Sequence, residues 1–388
     1  MDRRFFNVFI AIMFYHGISV HIPGFEFTGN RYASFSHPVL KKSEIKIPAS
    51  KIKNLSLKTM TAKNIALLAG GFSGEYEVSL NSAKNIAANL DPAKYKVYII
   101  LINRDSWFYE NDGNRVSIDK NDFSLTLNGE KIKFDFAFIT IHGTPGEDGK
   151  LQGYFDMLGI PYNTCDATTS AITMNKTFTK TLVEGIPGLH TARSIILFER
   201  DMHDVAIVAA TLKFPLFIKP NNGGSSVGMS KVYNAAGLPD AIKRAFDEGD
   251  QVIVEEFIKG REFSIGVARL YGHIKVLPAT EIISSKDFFD YEAKYTAGVS
   301  EEITPADLSP EKNEEIAGIV TEIYMRLNCK GMVRIDFILL EGTNDFYFIE
   351  VNTTPGQSAA SLIPQQVRAA GLNLMDFYGE LIEGAVGH

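Results

Sequence analysis

Only two cysteines, Cys165 and Cys329, occur in 388 residues, and they have neither a disulfide framework's numbers nor zinc-ligand spacing. An excess of positive charge is also missing. The formal net charge is −7, and the first 59 residues carry nine Lys/Arg against Asp2, Glu26 and Glu44, a net of +6, so the remainder carries −13. An acidic body argues against nucleic acid as a partner. Long apolar runs are absent too. Phe5–Tyr15, between Asp2-Arg3-Arg4 and Gly17-Ile18-Ser19, has the look of a signal peptide. It falls short of the ~20 apolar residues of a membrane span, so no membrane partner is expected. Two nucleotide fingerprints fail as well. No G-x-G-x-x-G follows the first strand, and Ile102-Asn103-Arg104 ends the second without an acidic residue, which removes a nicotinamide site. No Gly-Lys-Ser/Thr opens a helix, which removes a Walker loop. What remains, with 45% apolar and 22% charged residues, is a soluble globular chain long enough for two or three domains.

The most informative stretch is near the C-terminus. Val333–Leu340 and Phe346–Asn352 are β-branched and aromatic runs separated by Glu341-Gly342-Thr343-Asn344-Asp345, which predicts a hairpin. A turn centred on Thr343 sets Leu340 opposite Phe346, Asp336 opposite Glu350 and Arg334 opposite Asn352. Side chains alternate across a strand, so those four polar groups share a face. Val333, Ile335, Phe337, Leu339, Tyr347, Ile349 and Val351 form the core face, and Ile338 and Phe348 occupy the apolar end of the polar face. Two carboxylates directly opposed repel. A divalent cation between them removes the conflict, and two carboxylates, an amide oxygen and an arginine suit Mg²⁺ carrying phosphates. The plainer alternative is an edge hairpin with a solvated polar face.

Taken in order, Asn64–Ala69 predicts a buried parallel strand ending in Gly70-Gly71-Phe72-Ser73-Gly74-Glu75, and Val78 to Leu90 repeat at helical spacing before Asp91-Pro92. Strands over 96–102 and 134–141 flank a polar, hairpin-like region from 105 to 133, giving a strand–helix–strand α/β unit. His142-Gly143-Thr144-Pro145-Gly146-Glu147-Asp148-Gly149 follows at a strand's C-terminal end, where α/β ligands gather. One helix is predicted over 168–184, carrying Lys176; a lone lysine on a helix is usually solvated. Lys219 ends a strand before Gly223-Gly224-Ser225-Ser226-Val227-Gly228, better read as a flap over phosphates than as a plain turn. Strands are expected from Val252 through Pro278. Residues 284–302 carry no strand or helix signal, and so long a polar loop predicts a lid. A helix over 310–327 precedes the hairpin, and a helical region closes the chain.

These segments resemble the ATP-grasp superfamily, most closely the D-alanine–D-alanine ligase family. The resemblance rests on Gly70-Gly71-x-Ser73-x-Glu75-x-Glu77-Val78-Ser79, the 142–149 loop, Lys219-Pro220 with its glycine/serine loop, Tyr291-Glu292-Ala293-Lys294-Tyr295, Arg334-Ile335-Asp336 and Glu350-Val351-Asn352-Thr353-x-Pro355-Gly356. It implies an α/β fold of three-domain ATP-grasp architecture: an N-terminal parallel α/β domain over 60–164, then two domains, 165–255 and 256–388, that sandwich ATP. Lys176 and Lys219 would hold phosphates. Glu255, Glu256 and the backbone at Ile258 would read the adenine, and Glu262 the ribose. Asp336, Glu350 and Asn352 would bind two Mg²⁺ or Mn²⁺. Glu75 would pair with the first D-alanine's ammonium near His142, and link through Ser225 to Tyr295. Lys294, Ser361 and Leu362 would take the second D-alanine, while Arg334 and the Gly356 N–H stabilise an oxyanion.

The implied activity is ATP-dependent ligation of two D-alanines through an acyl phosphate, for peptidoglycan precursors. The rivals are a D-alanine–D-lactate ligase, another ATP-grasp carboxylate–amine ligase, and a non-catalytic nucleotide sensor. The first 59 residues have no counterpart in the family. The reading favoured here is that Met60 begins the folded enzyme, because the reaction needs cytosolic ATP. A cytoplasmic homodimer is expected.

Overall fold

The computed structural model divides the chain into two compact units, Met1–Lys58 and Thr59–His388. The structure describes residues 62–111, 113–201, 205–224, 227–284 and 300–386, all in the second unit. The expected extension over 1–59 lies outside the described residues.

Strand β1 (Lys63–Gly70) explains its own composition. Ile65, Leu67 and Ala69 point into one apolar cluster while Ala66 and Leu68 point into another, so both faces are covered and the sequence shows a continuous apolar run. It pairs in parallel with β2 (Tyr95–Ile102) and β7 (Phe136–Ile139), and helix α1 (Tyr76–Ala88) packs Ala83 and Ile86 against it. The polar region between β2 and β7 is a meander rather than a single hairpin. Its strands β3 (Trp107–Asn111), β4 (Asn114–Asp119), β5 (Ser124–Leu127) and β6 (Glu130–Ile132) extend the sheet antiparallel, in the order β6-β5-β4-β3-β2-β1-β7. Helix α2 (Lys150–Leu158) follows the glycine-rich loop.

The single helix predicted over 168–184 is two: α3 (Ala167–Met174) and α4 (Lys176–Val183). Asn175 between them is extended (φ −93°, ψ 107°), and its side chain accepts the Phe178 N–H to cap α4. The Lys176 amide donates to Asn221 O, so a tertiary bridge outcompetes helix continuation. Strands β8 (Leu189–Thr191) and β9 (Ser194–Phe198) and helix α5 (Val205–Thr211) come next.

The second sheet is antiparallel, ordered β11 (Ser230–Val232), β10 (Leu216–Pro220), β12 (Gln251–Glu256), β9. It is backed by α6 (Leu238–Phe246), which buries Leu238, Ala241, Ile242 and Ala245 at helical spacing.

The third sheet is built on β13 (Gly260–Leu270), which pairs with β14 (His273–Val276), β15 (Thr280–Ser284) and β17 (Met332–Leu340). Beyond β17 lies β18 (Phe346–Asn352), then β8, parallel to it. Helix α7 (Pro310–Arg326), capped by the Ser309 side chain, buries Ile316, Ile319, Val320, Ile323 and Tyr324 against this sheet. Part of the stretch expected to lack structure is a strand. Residues Ser300–Ile303 form β16, with Ile303 opposite Glu281 and Glu302 opposite Ile282. The rest of the expected lid, 285–299, lies outside the described residues. Helices α8 (Leu362–Ala369) and α9 (Leu374–Val386) end the fold. Among the described residues no helix is long and apolar enough to cross a membrane.

Candidate active site

The β17–β18 hairpin carries the polar cluster. Asp336 faces Glu350 and Arg334 faces Asn352, as the sequence predicts. Beyond that point the prediction fails by one residue. Leu339, not Leu340, faces Phe346, because Ile349 is an extra residue opposite the Asp336/Phe337 step. A bulge of this kind re-aims the side chains that follow it. Phe346 and Phe348 therefore join the core cluster assigned on paper to Tyr347 and Ile349. Tyr347 and Ile349, with Ile338, instead line an open cleft.

That cleft has a volume of about 1110 Å³ and takes residues from all three sheets and their loops. All fifteen candidate residues that fall within the described part of the chain line it: Glu75, His142, Lys176, Lys219, Glu255, Glu256, Ile258, Glu262, Arg334, Asp336, Glu350, Asn352, Gly356, Ser361 and Leu362. Ser225, Lys294 and Tyr295 lie outside the described residues.

Asp336 is the hub of the polar cluster. Arg334 Nε and Nη2 donate to its two oxygens at 3.0 and 2.9 Å, Asn352 Nδ2 donates at 2.9 Å and Ser264 Oγ at 2.6 Å. Arg334 is partly buried, which by itself lowers its pKa, but Asp336 and Glu350 outweigh the desolvation and hold it charged. Lys176, expected to hold phosphate, is not a solvated helix lysine. It opens α4, donates from Nζ to Gly223 O at 2.7 Å and lies 3.3 Å from Glu350.

Glu255 sits between two lysines. Lys219 Nζ is 2.5 Å from Oε2, and Lys180 Nζ donates to Oε1 as well as to Ala192 O and Ser194 Oγ. Burial pulls the carboxyl upward, but Lys219 and Lys180 bring it down from 4.5 to about 2. Burial lowers Lys219 and Glu255 raises it, with a net upward shift. The paired Glu255 carboxylate therefore contributes stability in full above pH 4.5, lost as pH falls towards about 2. Thermal unfolding across that acid window is expected to fall less steeply in Glu255→Gln than in the unaltered chain; parallel slopes would contradict the pairing.

Near the first sheet, His142 Nδ1 lies 2.7 Å from Thr354 O, a carbonyl that can only accept, so Nδ1 carries the proton. Burial drives the ring's pKa down and favours the neutral form. Nε2 is then a buried lone pair with no hydrogen-bond partner among the described residues, on a residue that lines the cleft. Burial raises Glu147 from 4.5 to about 7, opposed by two backbone N–H donors, from Gly143 at 2.7 Å and Thr354 at 2.9 Å.

Sequence reasoning gave no role to Lys180, Glu147, Ser264 or Lys231, whose ammonium lies 3.8 Å from the centre of the Phe257 ring at the cleft edge. One signal was available: Lys180 is four residues after Lys176 and so shares a face of α4.

The donor set fits a hard divalent cation and a polyphosphate. Asp336, Glu350 and Asn352 offer oxygen alone, and Lys176 and Lys219 stand beside them in a cleft wide enough for a nucleotide. Among the described residues no group of three His, Cys, Asp or Glu is placed to hold a metal ion, so a third protein oxygen at this hairpin would have to come from a group such as the Asn352 amide.

Comparison with known proteins agrees with this geometry. Residues 64–165 match the family described as D-ala D-ala ligase N-terminus, and residues 188–383 match D-ala D-ala ligase C-terminus. The chain belongs to the D-alanine–D-alanine ligase family. Its relatives in that family include the D-alanine–D-alanine ligase of Azobacteroides pseudotrichonymphae, 46% identical over 324 residues that make up 83% of this chain and 99% of the relative. That of Parabacteroides distasonis is 46% identical over 322 residues, 83% of this chain and 97% of the relative. Among solved structures, the VanG D-Ala:D-Ser ligase of Enterococcus faecalis superposes with a TM-score of 0.76 at 33% identity, covering 84% of this chain and all of that one. The D-alanine–D-alanine ligase of Coxiella burnetii superposes at 0.73 and 30% identity, covering 84% and 94%. Both ligase structures share the ATP-grasp fold with this chain.

Proposed function

We propose that this chain joins two D-alanines to D-alanyl-D-alanine at the expense of ATP, supplying a peptidoglycan precursor. The observation that carries this reading is the Arg334–Asp336–Glu350–Asn352 cluster facing Lys176 in one cleft. A nucleotide-binding sensor has no use for a partly buried arginine beside its phosphate site.

In this reading Lys176 and Lys219 bind the phosphates, each turning from the carboxylate it now pairs with. Lys180 keeps Glu255 neutralised when Lys219 moves. Glu255, Glu256 and the backbone at Ile258 bind the adenine, and Glu262 the ribose. Asp336, Glu350 and Asn352 hold Mg²⁺ or Mn²⁺, which when bound neutralises the charge of the transferring phosphoryl group. Glu75 pairs with the ammonium of the first D-alanine, and the His142 lone pair accepts from it.

The carboxylate oxygen of the first D-alanine attacks the γ-phosphorus as the bond to ADP breaks, giving an acyl phosphate. The amine of the second D-alanine, which loses a proton, attacks the acyl carbon, and inorganic phosphate leaves. Arg334 and the Gly356 N–H stabilise the oxyanion of the tetrahedral intermediate, a contribution of ~3–4 kcal/mol per donor. Ser361 stands at the N-cap position of α8 and Leu362 opens it, so the carboxylate of the second substrate would meet a helix N-terminus. Lys294, outside the described residues, would be its further partner in this reading, and a lid there would exclude the water that hydrolyses an acyl phosphate.

The test is phosphate release with ATP and Mg²⁺. It is expected to depend on added D-alanine and not on L-alanine; amino-acid-independent hydrolysis would favour the sensor.

The acceptor is set by Tyr295 in this account. In this reading its hydroxyl would join Ser225 and Glu75, and losing it would leave that network a partner short, at ~1–3 kcal/mol. Tyr295→Phe is expected to shift acceptor choice towards D-lactate by roughly tenfold or more, most visibly at lower pH where the amine is protonated. An unchanged ratio of depsipeptide to dipeptide would reduce Tyr295 to a packing residue. The VanG D-Ala:D-Ser ligase of Enterococcus faecalis shows that related folds differ in the second substrate.

A further inference from the structure

The amide of Gly356 makes no hydrogen bond among the described residues, so its direction is set by its neighbours. Two anchors flank it. On one side Gln357 is held by helix α1: its N–H donates to Ser82 Oγ at 3.0 Å, and its carbonyl accepts from Asn85 Nδ2 at 2.7 Å. On the other side Thr354 is gripped by the 142–149 loop. Glu147 Oε1 accepts its N–H at 2.9 Å, and His142 Nδ1 donates to its carbonyl at 2.7 Å. Pro355 links this grip to Gly356, and proline fixes φ.

Glu147 is itself fixed. Its Oε2 accepts the Gly143 N–H at 2.7 Å, while the Gly146 and Glu147 amides both return to Gly143 O at 2.8 Å. A side chain at position 146 would place its Cβ 2.1 Å from Ile141 O, so the turn that aims Glu147 admits only glycine. Both Glu147 oxygens thus accept from backbone N–H groups, one in each of two loops. A carboxylate suits that geometry and an amide does not, since the amide nitrogen would face a donor.

We propose that Glu147 is a positioning residue for ligation: it clamps Thr354 so that the Gly356 amide points at the developing oxyanion. This rests on the ligase reading and extends it to a cleft residue to which that reading gives no contact with substrate or nucleotide. Glu147 acts on the step in which the amine attacks, not on phosphoryl transfer to the carboxylate, which uses the hairpin and the lysines.

The two steps separate experimentally. With ATP labelled at the β,γ-bridge oxygen, positional isotope exchange in the presence of D-alanine reports reversible acyl-phosphate formation. In Glu147→Gln, dipeptide synthesis is expected to fall by ~10²-fold, the size expected of a misplaced group. Exchange and the KM for ATP are expected to persist, so exchange per dipeptide rises by a similar factor. Glu147→Asp, one methylene too short to reach both amides, is expected to show the same split and serves as the second variant. Parallel loss of exchange and dipeptide, unchanged dipeptide synthesis, or failure of both variants to fold would overturn the proposal. An unaltered chain that makes dipeptide without exchange would instead overturn the acyl-phosphate reading, and the proposal with it.

Discussion

Arg334→Lys is expected to lower dipeptide formation by ~10²–10³-fold, the effect of removing one preorganised oxyanion donor. The charge survives the substitution but the fork does not. Arg334 holds both oxygens of Asp336 at 3.0 and 2.9 Å while keeping further N–H groups for the cleft. A lysine ammonium is a single point and cannot hold a carboxylate in two places and still present a donor beyond it. The site is partly buried, yet a cation beside Asp336 remains, so the fold is expected to persist with a modest drop in thermal stability. The measurement is kcat for dipeptide release alongside a melting curve. A rate within a few-fold of the unaltered chain would remove Arg334 from the chemistry.

The largest loss is expected from Glu350→Gln. The exchange is isosteric, and it deletes one of only two carboxylates in the hairpin cluster together with the charge facing Lys176 at 3.3 Å. If Glu350 and Asp336 share a cation across the strand pair, several kcal/mol of transition-state stabilisation goes with it, a fall in turnover on the order of 10³-fold. Titration with Mn²⁺ should show weaker binding in the same variant, which separates loss of the cation from loss of a catalytic contact. Normal turnover at limiting divalent cation would contradict the assignment.

Much of this site was legible in the sequence, because strand alternation is a rigid rule. Once Val333–Leu340 and Phe346–Asn352 are taken as paired strands, a turn centred on Thr343 sets Asp336 opposite Glu350; the pairing nearest the turn is one residue out, and the extra residue Ile349 restores Asp336 to Glu350. The half of the hairpin nearer the turn was not legible. Gly342 (φ +96°) and Asn344 (φ +61°) mark the turn in the sequence, but the register also depends on one unpaired residue, Ile349, which leaves no mark in composition. The helix break at Asn175 was hidden for a different reason. Asparagine is tolerated inside helices, and only Asn221 and Asn222, far along the chain, supply the competing backbone partner. Lys180 and Glu147 carry no role that the sequence alone assigns. Each is held by a partner brought in by the tertiary fold, Glu255 for one and the Thr354 amide, 207 positions on, for the other. The residues least visible in the sequence are those that hold the reactive groups in place rather than react.

The central claim is a product, and product analysis tests it most directly. With ATP and Mg²⁺ at neutral pH and equal concentrations of D-alanine, D-lactate and D-serine, mass spectrometry is predicted to find D-alanyl-D-alanine as the main product. One ADP and one phosphate should appear for each dipeptide. ATP consumed without any ligated product, or D-alanyl-D-lactate or D-alanyl-D-serine exceeding the dipeptide, would contradict it.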